Sequence, residues 1–161
     1  MIHPNFKEYL PSYYFSTINP HAAYPKLEGR LKTETCVIGG GLTGLCTALP
    51  LAENGREVTV LEAARIGFGA SGRSGGQVIS DYACGMEEIE KQVGLEQARW
   101  FWQQSLQAVE LVDERVRKHH IDCDWQRGYA TVAIRKQHWK ELRQWHEHAQ
   151  KHYGASHYQL W

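Results

Sequence analysis

The sequence lacks two features: an apolar run long enough to span a membrane, and an excess of basic residues. A transmembrane helix needs about 20 consecutive apolar residues. A nucleic-acid partner is usually matched by a basic surface, whereas the formal net charge of this chain is zero at pH 7. We therefore expect neither a membrane partner nor a nucleic-acid partner.

Cysteine is scarce as well. The four cysteines, Cys36, Cys46, Cys84 and Cys123, are widely separated and form no C-x-x-C pair. Because this spacing suits neither a disulfide framework nor a zinc site, we predict reduced, semi-buried thiols and no metal. Residues 1–14 lack the basic start and apolar core of a secretory signal, so we expect a cytoplasmic protein.

What the sequence does contain is a glycine motif between two apolar runs. Thr35–Ile38 and Val58–Leu61 are typical of short buried strands, and Gly39–Gly44 fits the pattern G-x-G-x-x-G. A helix-like segment, Leu45–Glu53, follows the glycines, and Glu62 ends the second strand. Strand, glycine turn, helix, strand and acid form the dinucleotide-binding βαβ unit. The sequence thus predicts an α/β, Rossmann-like fold.

Each residue of the motif has a predicted physical role. Gly39 takes a tight turn, Gly41 lets a pyrophosphate approach the backbone, and Gly44 lets the helix pack close to the strand. The first N–H groups of the helix and its positive dipole end face the phosphates. Glu62 accepts hydrogen bonds from the adenosine ribose and disfavours NADP, because a carboxylate repels a 2′-phosphate. The alternative is a glycine turn that binds no nucleotide.

Two local features qualify this pattern. Pro50 lies inside the predicted helix, so that helix is either kinked or less stable, since an interior proline costs about 3 kcal/mol. Residues 67–77 are too rich in glycine to predict regular structure. Such a loop either wraps around a ligand or is mobile, and its position after Glu62 favours wrapping.

The rest of the chain is predicted to be mainly helical. Glu87–His120 forms a helix divided at Gly94, and Lys136–Tyr153 forms a helix capped by Gly154. Tyr129–Ile134 and Ser156–Trp161 are predicted strands of a second sheet. The apolar stripe of the first helix contains Trp100, Ser105, Ala108, Leu111, Val112 and Val116. His148 and His152 share a helix face, but with no third ligand nearby a solvated polar face is expected rather than a metal site.

Several segments together resemble the N-terminal part of FAD-dependent oxidoreductases of the D-amino-acid oxidase type, and within them the gamma-glutamylputrescine oxidase-like branch. The glycine motif with Glu62-Ala63 and the loop Gly67–Gln77 carry the resemblance most specifically. It extends to the N-terminal pieces Ser12-Tyr13-Tyr14, Asn19-Pro20 and Tyr24–Gly29, and to Ile121–Val132.

The resemblance implies FAD rather than NAD. By analogy the first loop holds the pyrophosphate, the acid holds the ribose, and the second loop passes along the ribityl chain to the flavin ring. For Arg73, a solvent-facing charge is the alternative. The implied cofactor-binding residues are Gly39, Gly41, Leu42, Thr43, Gly44, Glu62, Ala63, Gly69, Ala70, Ser71, Gly72, Arg73, Gly75, Gly76 and Gln77. No catalytic residue is predicted.

Because proteins of this family are considerably longer, we expect an N-terminal portion that does not act alone. The expected segments are an extended arm (1–33), a FAD-binding βαβ unit with the second glycine-rich loop (34–85), a helical segment (86–121) and the start of a substrate-side α+β domain (122–161). The leading hypothesis is an oxidoreductase that takes a small amine or amino acid. The alternatives are a non-catalytic nucleotide-binding fragment or interaction module, and an NAD-dependent dehydrogenase. The oligomeric state is left open.

Overall fold

The computed structural model describes residues 12–19 and 24–161, and these form two compact units that divide after Gln77. The first unit contains helix α1 (Tyr13–Thr17), strand β1 (Thr35–Ile38), helix α2 (Leu42–Glu53) and strand β2 (Val58–Leu61). A short 3₁₀ helix, Ala70–Arg73, lies in its second glycine-rich loop. The second unit contains helices α3 (Met86–Lys118) and α4 (Lys136–Tyr153).

The predicted βαβ unit is confirmed. The two strands are parallel, with Thr35 paired to Val58 and Ile38 paired to Leu61. Helix α2 connects them and buries Ala48. It begins at Leu42 rather than at the predicted Leu45, because the last glycine of the motif is already helical. Pro50 lies in the last turn and α2 continues past it to Glu53.

Two predictions for the first unit, and one for the cysteines of both units, are wrong. Part of the predicted extended arm is helical, since the Ser12 side chain accepts a hydrogen bond from the Phe15 N–H and caps α1. Residues 1–11 and 20–23 of the predicted arm lie outside the described residues. The second glycine-rich loop contains regular structure after all, the short 3₁₀ helix. The four cysteines form no disulfide, as predicted, but all four are exposed rather than semi-buried. Cys36 lies on the same exposed face of β1 as Ile38.

The second unit is built around Trp102, which is 1% exposed. Its ring stacks on Tyr153 of α4 with centroids 5.5 Å apart, and the surrounding core contains Met86, Ala98, Ala149 and Ala155. Gly94 takes a φ of 79° and divides α3, as predicted. The predicted stripe is confirmed at Ser105, which is buried, but its members Trp100, Ala108 and Leu111 are exposed. Ala98 and Trp102, outside the predicted stripe, are buried instead.

The two predicted strands of the second unit do not form. Residues 122–134 and 156–161 have neither helix nor strand, and the sheet of β1 and β2 is the only one in the part of the chain that the structure describes. A strand is stabilised by hydrogen bonds to a neighbouring strand, so β-rich composition alone does not produce one. Val132 and Ile134 are 73% and 79% exposed.

A polar cluster joins α3 to α4 where a solvated face was predicted. The carboxylate of Glu90 accepts a hydrogen bond from the Tyr153 hydroxyl at 2.6 Å and lies 2.8 Å from His148 Nε2. The hydrogen bond from Tyr153, aided by His148, holds the pKa of Glu90 below its ordinary value. The histidine face therefore packs against α3. Within residues 12–19 and 24–161, no three His, Cys, Asp or Glu side chains are placed to hold a metal ion.

Asp113 fixes the segment that follows α3. This carboxylate is 4% exposed. It accepts a hydrogen bond from Trp125 Nε1 at 2.6 Å and pairs with Arg117 and Arg127. Arg127 also reaches both oxygens of Glu110, at 3.1 and 2.8 Å. The hydrogen bond from Arg127, followed by that from Trp125, holds the pKa of Asp113 below its ordinary value of 3.8.

We predict that Asp113→Asn lowers the thermal unfolding midpoint at pH 7. The substitution removes the negative charge that pairs with Arg117 and Arg127 and leaves both cations beside a neutral amide. A carboxyl whose pKa is depressed by folding stabilises the fold above its unfolded pKa, and this contribution is lost as the pH falls through the folded pKa. The difference between the parent chain and Asp113→Asn should therefore shrink below about pH 4. Thermal melts of both chains between pH 7 and pH 2 measure this difference in unfolding midpoint.

The matched control is Glu114→Gln, which neutralises an exposed carboxylate at the next position of α3. We expect it to leave the unfolding midpoint within the small range of surface substitutions. Equal effects of the two variants at pH 7 would contradict a special role for Asp113.

Candidate functional site

The glycine turn after β1 has the geometry that the motif predicts. Gly39 takes a φ of 105°, a left-handed conformation that favours glycine. Its N–H donates to the carbonyl oxygen of Leu61 at 2.7 Å, which extends the pairing of the two strands by one residue. The chain then turns into α2 within two residues.

Gly44 explains how close the helix comes to this turn. A Cβ atom on Gly44 would lie 1.9 Å from the carbonyl oxygen of Gly39 and 3.4 Å from Val37 Cγ1. No side chain fits at 1.9 Å from a backbone oxygen. The predicted role of Gly44 in close helix–strand packing is therefore the role that the backbone geometry requires.

Gly41 presents bare backbone at the start of α2. It is the N-cap residue and provides no side-chain cap, and the first N–H groups of a helix have no acceptor within the helix. The N–H of Leu42 instead donates to the hydroxyl oxygen of Ser71 at 2.9 Å. The two glycine-rich loops thus meet at the positive end of the helix dipole.

Glu62 is held at the end of β2 by two backbone donors. Its Oε2 accepts from the Gly40 N–H at 2.7 Å, and its Oε1 accepts from the Ala64 N–H at 2.9 Å. Each carboxylate oxygen has two lone pairs, so each can accept one further hydrogen bond. The carboxylate is thereby oriented beside the glycine turn, as its place in the βαβ pattern predicts.

The importance of Gly40 was missed by the sequence reasoning. It is buried, and a Cβ atom there would lie 2.4 Å from Ile66 Cδ1 and 3.3 Å from Glu62 Cβ. Its carbonyl oxygen also accepts from the Gly67 N–H at 2.9 Å. Gly40 occupies an unspecified position of G-x-G-x-x-G, so the motif gave no signal that this residue joins both loops.

The predicted site residues of the second loop are less tightly grouped. Residues 69–77 are all exposed. Arg73 is among them and donates to the carbonyl oxygen of Phe68 at 3.4 Å. A pocket of about 80 Å³ lies beside this loop rather than over Gly41. It is lined by Ser12, Phe15, Ile18, Ile66, Gly67, Phe68, Gly72 and Arg73.

The structure therefore brings together the first glycine loop, Leu42, Glu62 and Ser71. These groups fit the ADP half of a dinucleotide, because bare backbone, helix N–H groups and a ribose acceptor lie around one turn.

No helix in the described ranges is both long and apolar enough to cross a membrane.

Comparisons with known proteins point to one family. The family described as FAD dependent oxidoreductase matches residues 34–161. The chain is 43% identical to a probable oxidoreductase OrdL of Haemophilus influenzae over all of this chain and 37% of the relative. It is 43% identical to the gamma-glutamylputrescine oxidoreductase of Escherichia coli over 79% of this chain and 30% of the relative.

A second probable oxidoreductase OrdL, from Rhizobium meliloti, is 33% identical over 91% of this chain and 34% of the relative. The chain thus spans about a third of the length of these relatives, between 30% and 37%. No solved structure matches it.

We predict that Gly44→Ala destabilises the first unit. Alanine gains up to about 1 kcal/mol of helix propensity over glycine, but overpacking against a backbone that cannot rotate away costs about 1–3 kcal/mol or more. Because the new Cβ atom would overlap the Gly39 carbonyl oxygen, we expect the overpacking cost to exceed the gain and the free energy of unfolding to fall. Urea unfolding followed by circular dichroism measures the change in the free energy of unfolding.

Thr47→Ala is the control for this substitution. Thr47 is an exposed α2 residue whose hydroxyl donates to the carbonyl oxygen of Thr43 within the same helix. We expect a change within about 0.5 kcal/mol. A Gly44→Ala chain as stable as the parent would show that α2 does not need this approach to β1.

Proposed function

The chain belongs to the FAD dependent oxidoreductase family, and from this we propose that residues 34–85 bind the ADP half of FAD through a Rossmann-like βαβ unit. The observation that carries the proposal is the joint placement of three groups. Bare backbone at Gly41, the N–H of Leu42 at the start of α2 and the oriented carboxylate of Glu62 lie around one turn.

The proposed contacts follow the path of an extended cofactor. The first loop would hold the pyrophosphate, with the N–H groups of Leu42 and Thr43 as donors, and Glu62 with Ala63 would hold the ribose. The second loop would line the pyrophosphate, the ribityl chain and the flavin ring in that order. Its proposed contact residues are Gly69, Ala70, Ser71, Gly72, Arg73, Gly75, Gly76 and Gln77.

For the reaction, we propose oxidation of a small amine or amino acid. The support is the name of one relative, gamma-glutamylputrescine oxidoreductase, together with the shared family. FAD, when bound, supplies a hydride acceptor for the carbon next to the amine, and oxygen or another acceptor takes the electrons on. The contribution of this chain is to bind and orient the cofactor, and we assign no catalytic acid or base to it. A cytoplasmic location is part of the same proposal.

A second candidate is a nucleotide-binding module that does not catalyse. It is favoured by the exposure of the second glycine-rich loop. An NAD-dependent dehydrogenase has no such support, because the family that matches uses FAD.

We predict that the 161-residue chain binds FAD but releases no peroxide when amines are added. Oxidation needs a substrate held in near-attack geometry with water excluded, whereas residues 69–77 are exposed. Flavin absorbance after gel filtration measures binding, and a coupled peroxide assay with gamma-glutamylputrescine and common amino acids measures turnover.

The control for this experiment is Gly41→Val. A β-branched side chain would meet Ser71 and fill the space that a pyrophosphate needs, so flavin retention should be lost. Retention equal to that of the parent chain would place the phosphate elsewhere. Amine-dependent peroxide that needs both FAD and Gly41 would show that the short chain contains a complete active site.

We also predict that Glu62→Ala weakens ADP binding by about 1.5–3 kcal/mol, the range for hydrogen bonds to a charged group. Because Glu62 also holds the Gly40 N–H, part of any loss could come from the turn itself. The contribution of the ribose is isolated by titrating both chains with ADP and with 2′,3′-dideoxy-ADP in a calorimeter.

If Glu62 contacts the ribose, the substitution should weaken ADP much more than the dideoxy analogue. An equal loss for both ligands would show that Glu62 acts only on the glycine turn. An unchanged affinity for ADP would remove Glu62 from the binding site.

A further inference from the structure

Helix α1 packs against the second glycine-rich loop within the first unit. The two elements are in contact at the short 3₁₀ helix Ala70–Arg73. Phe15 of α1, and Ile18 directly after it, line the pocket of about 80 Å³ together with Ile66 and Phe68 from the beginning of the loop. The contact between α1 and the loop is therefore largely apolar.

The two halves of this loop are held in different ways. In the first half, the Ser71 hydroxyl accepts a hydrogen bond from the Leu42 N–H of α2, which ties the loop to the βαβ unit. In residues 74–77, the Gly76 N–H donates to the Ser74 hydroxyl at 3.3 Å, a bond within the loop itself. Because glycine loses more backbone freedom on ordering than any other residue, this second half gains most from a support outside the loop.

Tyr14 brings α1 to that second half. A Cβ atom on Gly75 would lie 3.6 Å from the Tyr14 hydroxyl oxygen, an ordinary van der Waals distance. The neighbouring Tyr13 is 76% exposed, whereas Phe15 is 36% exposed. Tyr14 and Phe15 thus contact the loop from one short helix, one at each half.

The position of α1 leaves the proposed pyrophosphate position open. Of the described residues that line the pocket, none belongs to residues 39–44. The side chains of α1 therefore support the second loop from beside it and do not cover the backbone at Gly41.

We propose that α1 is a clamp that positions the second glycine-rich loop for the flavin half of FAD, with Tyr14 and Phe15 as its positioning residues. This inference rests on the proposed function, since it concerns the same site. A loop that is already ordered in its bound shape loses less conformational entropy on binding. Since the first loop and Glu62 are the proposed contacts of the ADP half, the clamp acts on FAD much more than on ADP.

The opposite arrangement is a helix that obstructs the flavin half of the cofactor. In that case α1 has to move away before FAD binds, and its contacts with the loop oppose binding. The two arrangements differ in the sign of a mutational effect. Removal of a clamp weakens FAD binding, whereas removal of an obstruction tightens it.

The test is a calorimetric titration of the 161-residue chain and of Phe15→Ala, Phe15→Leu and Tyr13→Ala with FAD and with ADP. We expect Phe15→Ala to weaken FAD binding about five- to thirtyfold, the equivalent of ordering about one residue. ADP binding should stay within about twofold of the parent. Phe15→Leu keeps a large apolar side chain and should restore most of the FAD affinity. Tyr13→Ala, on the same helix, is the matched control and should bind both ligands as the parent does.

A second measurement needs no cofactor. Amide hydrogen exchange is compared between the parent chain and Phe15→Ala. Two hydrogen-bonded N–H groups of the loop, those of Gly72 and Gly76, should exchange faster in the variant because the loop opens more often. Exchange in α2 should be unchanged, which shows that the βαβ unit is intact.

The possible failures are distinguishable. Equal or tighter FAD binding by Phe15→Ala, an equal loss for FAD and ADP, or unchanged exchange at Gly72 and Gly76 would each overturn the clamp while leaving the proposed FAD site intact. If the parent chain binds neither ADP nor FAD, the proposed function fails, and the role of the clamp in cofactor binding fails with it.

Discussion

The approach of Gly44 in α2 to the carbonyl oxygen of Gly39 is the constraint on which the first unit depends. An added Cβ atom would lie 1.9 Å from that oxygen, so the helix start can lie over the strand end only if this residue is glycine. The approach brings the Leu42 N–H and the bare backbone of Gly41 to the edge of the sheet where Glu62 emerges. Without it, the donors and the carboxylate would not share one turn.

Polar contacts then connect the loops that this approach brings together. Glu62 holds the Gly40 N–H, Ser71 holds the Leu42 N–H, and Gly40 accepts from the Gly67 N–H. These bonds differ in strength, because a carboxylate acceptor is charged and a hydroxyl is neutral. The two bonds that Glu62 accepts are therefore the charge-assisted ones, and they keep the glycine turn in shape.

The second unit follows a different principle, in which aromatic packing and buried charge act together. Trp102 fills its core between α3 and α4, and Asp113 collects Trp125, Arg117 and Arg127 around one carboxylate. These side-chain bonds hold the segment after α3 without any strand. Val132 and Ile134 of this segment are exposed.

The sequence alone determined the βαβ unit, the roles of Gly39 and Gly44, the break at Gly94 and the family, because each depends on local backbone geometry or on spacing along the chain. Tertiary structure decided the rest. The roles of Gly40, Ser71 and Asp113 depend on contacts between residues 12 to 29 positions apart, which no local pattern encodes. The predicted strand Tyr129–Ile134 was wrong for the same reason: β propensity is local, but a strand exists only where a neighbouring strand accepts and donates its hydrogen bonds.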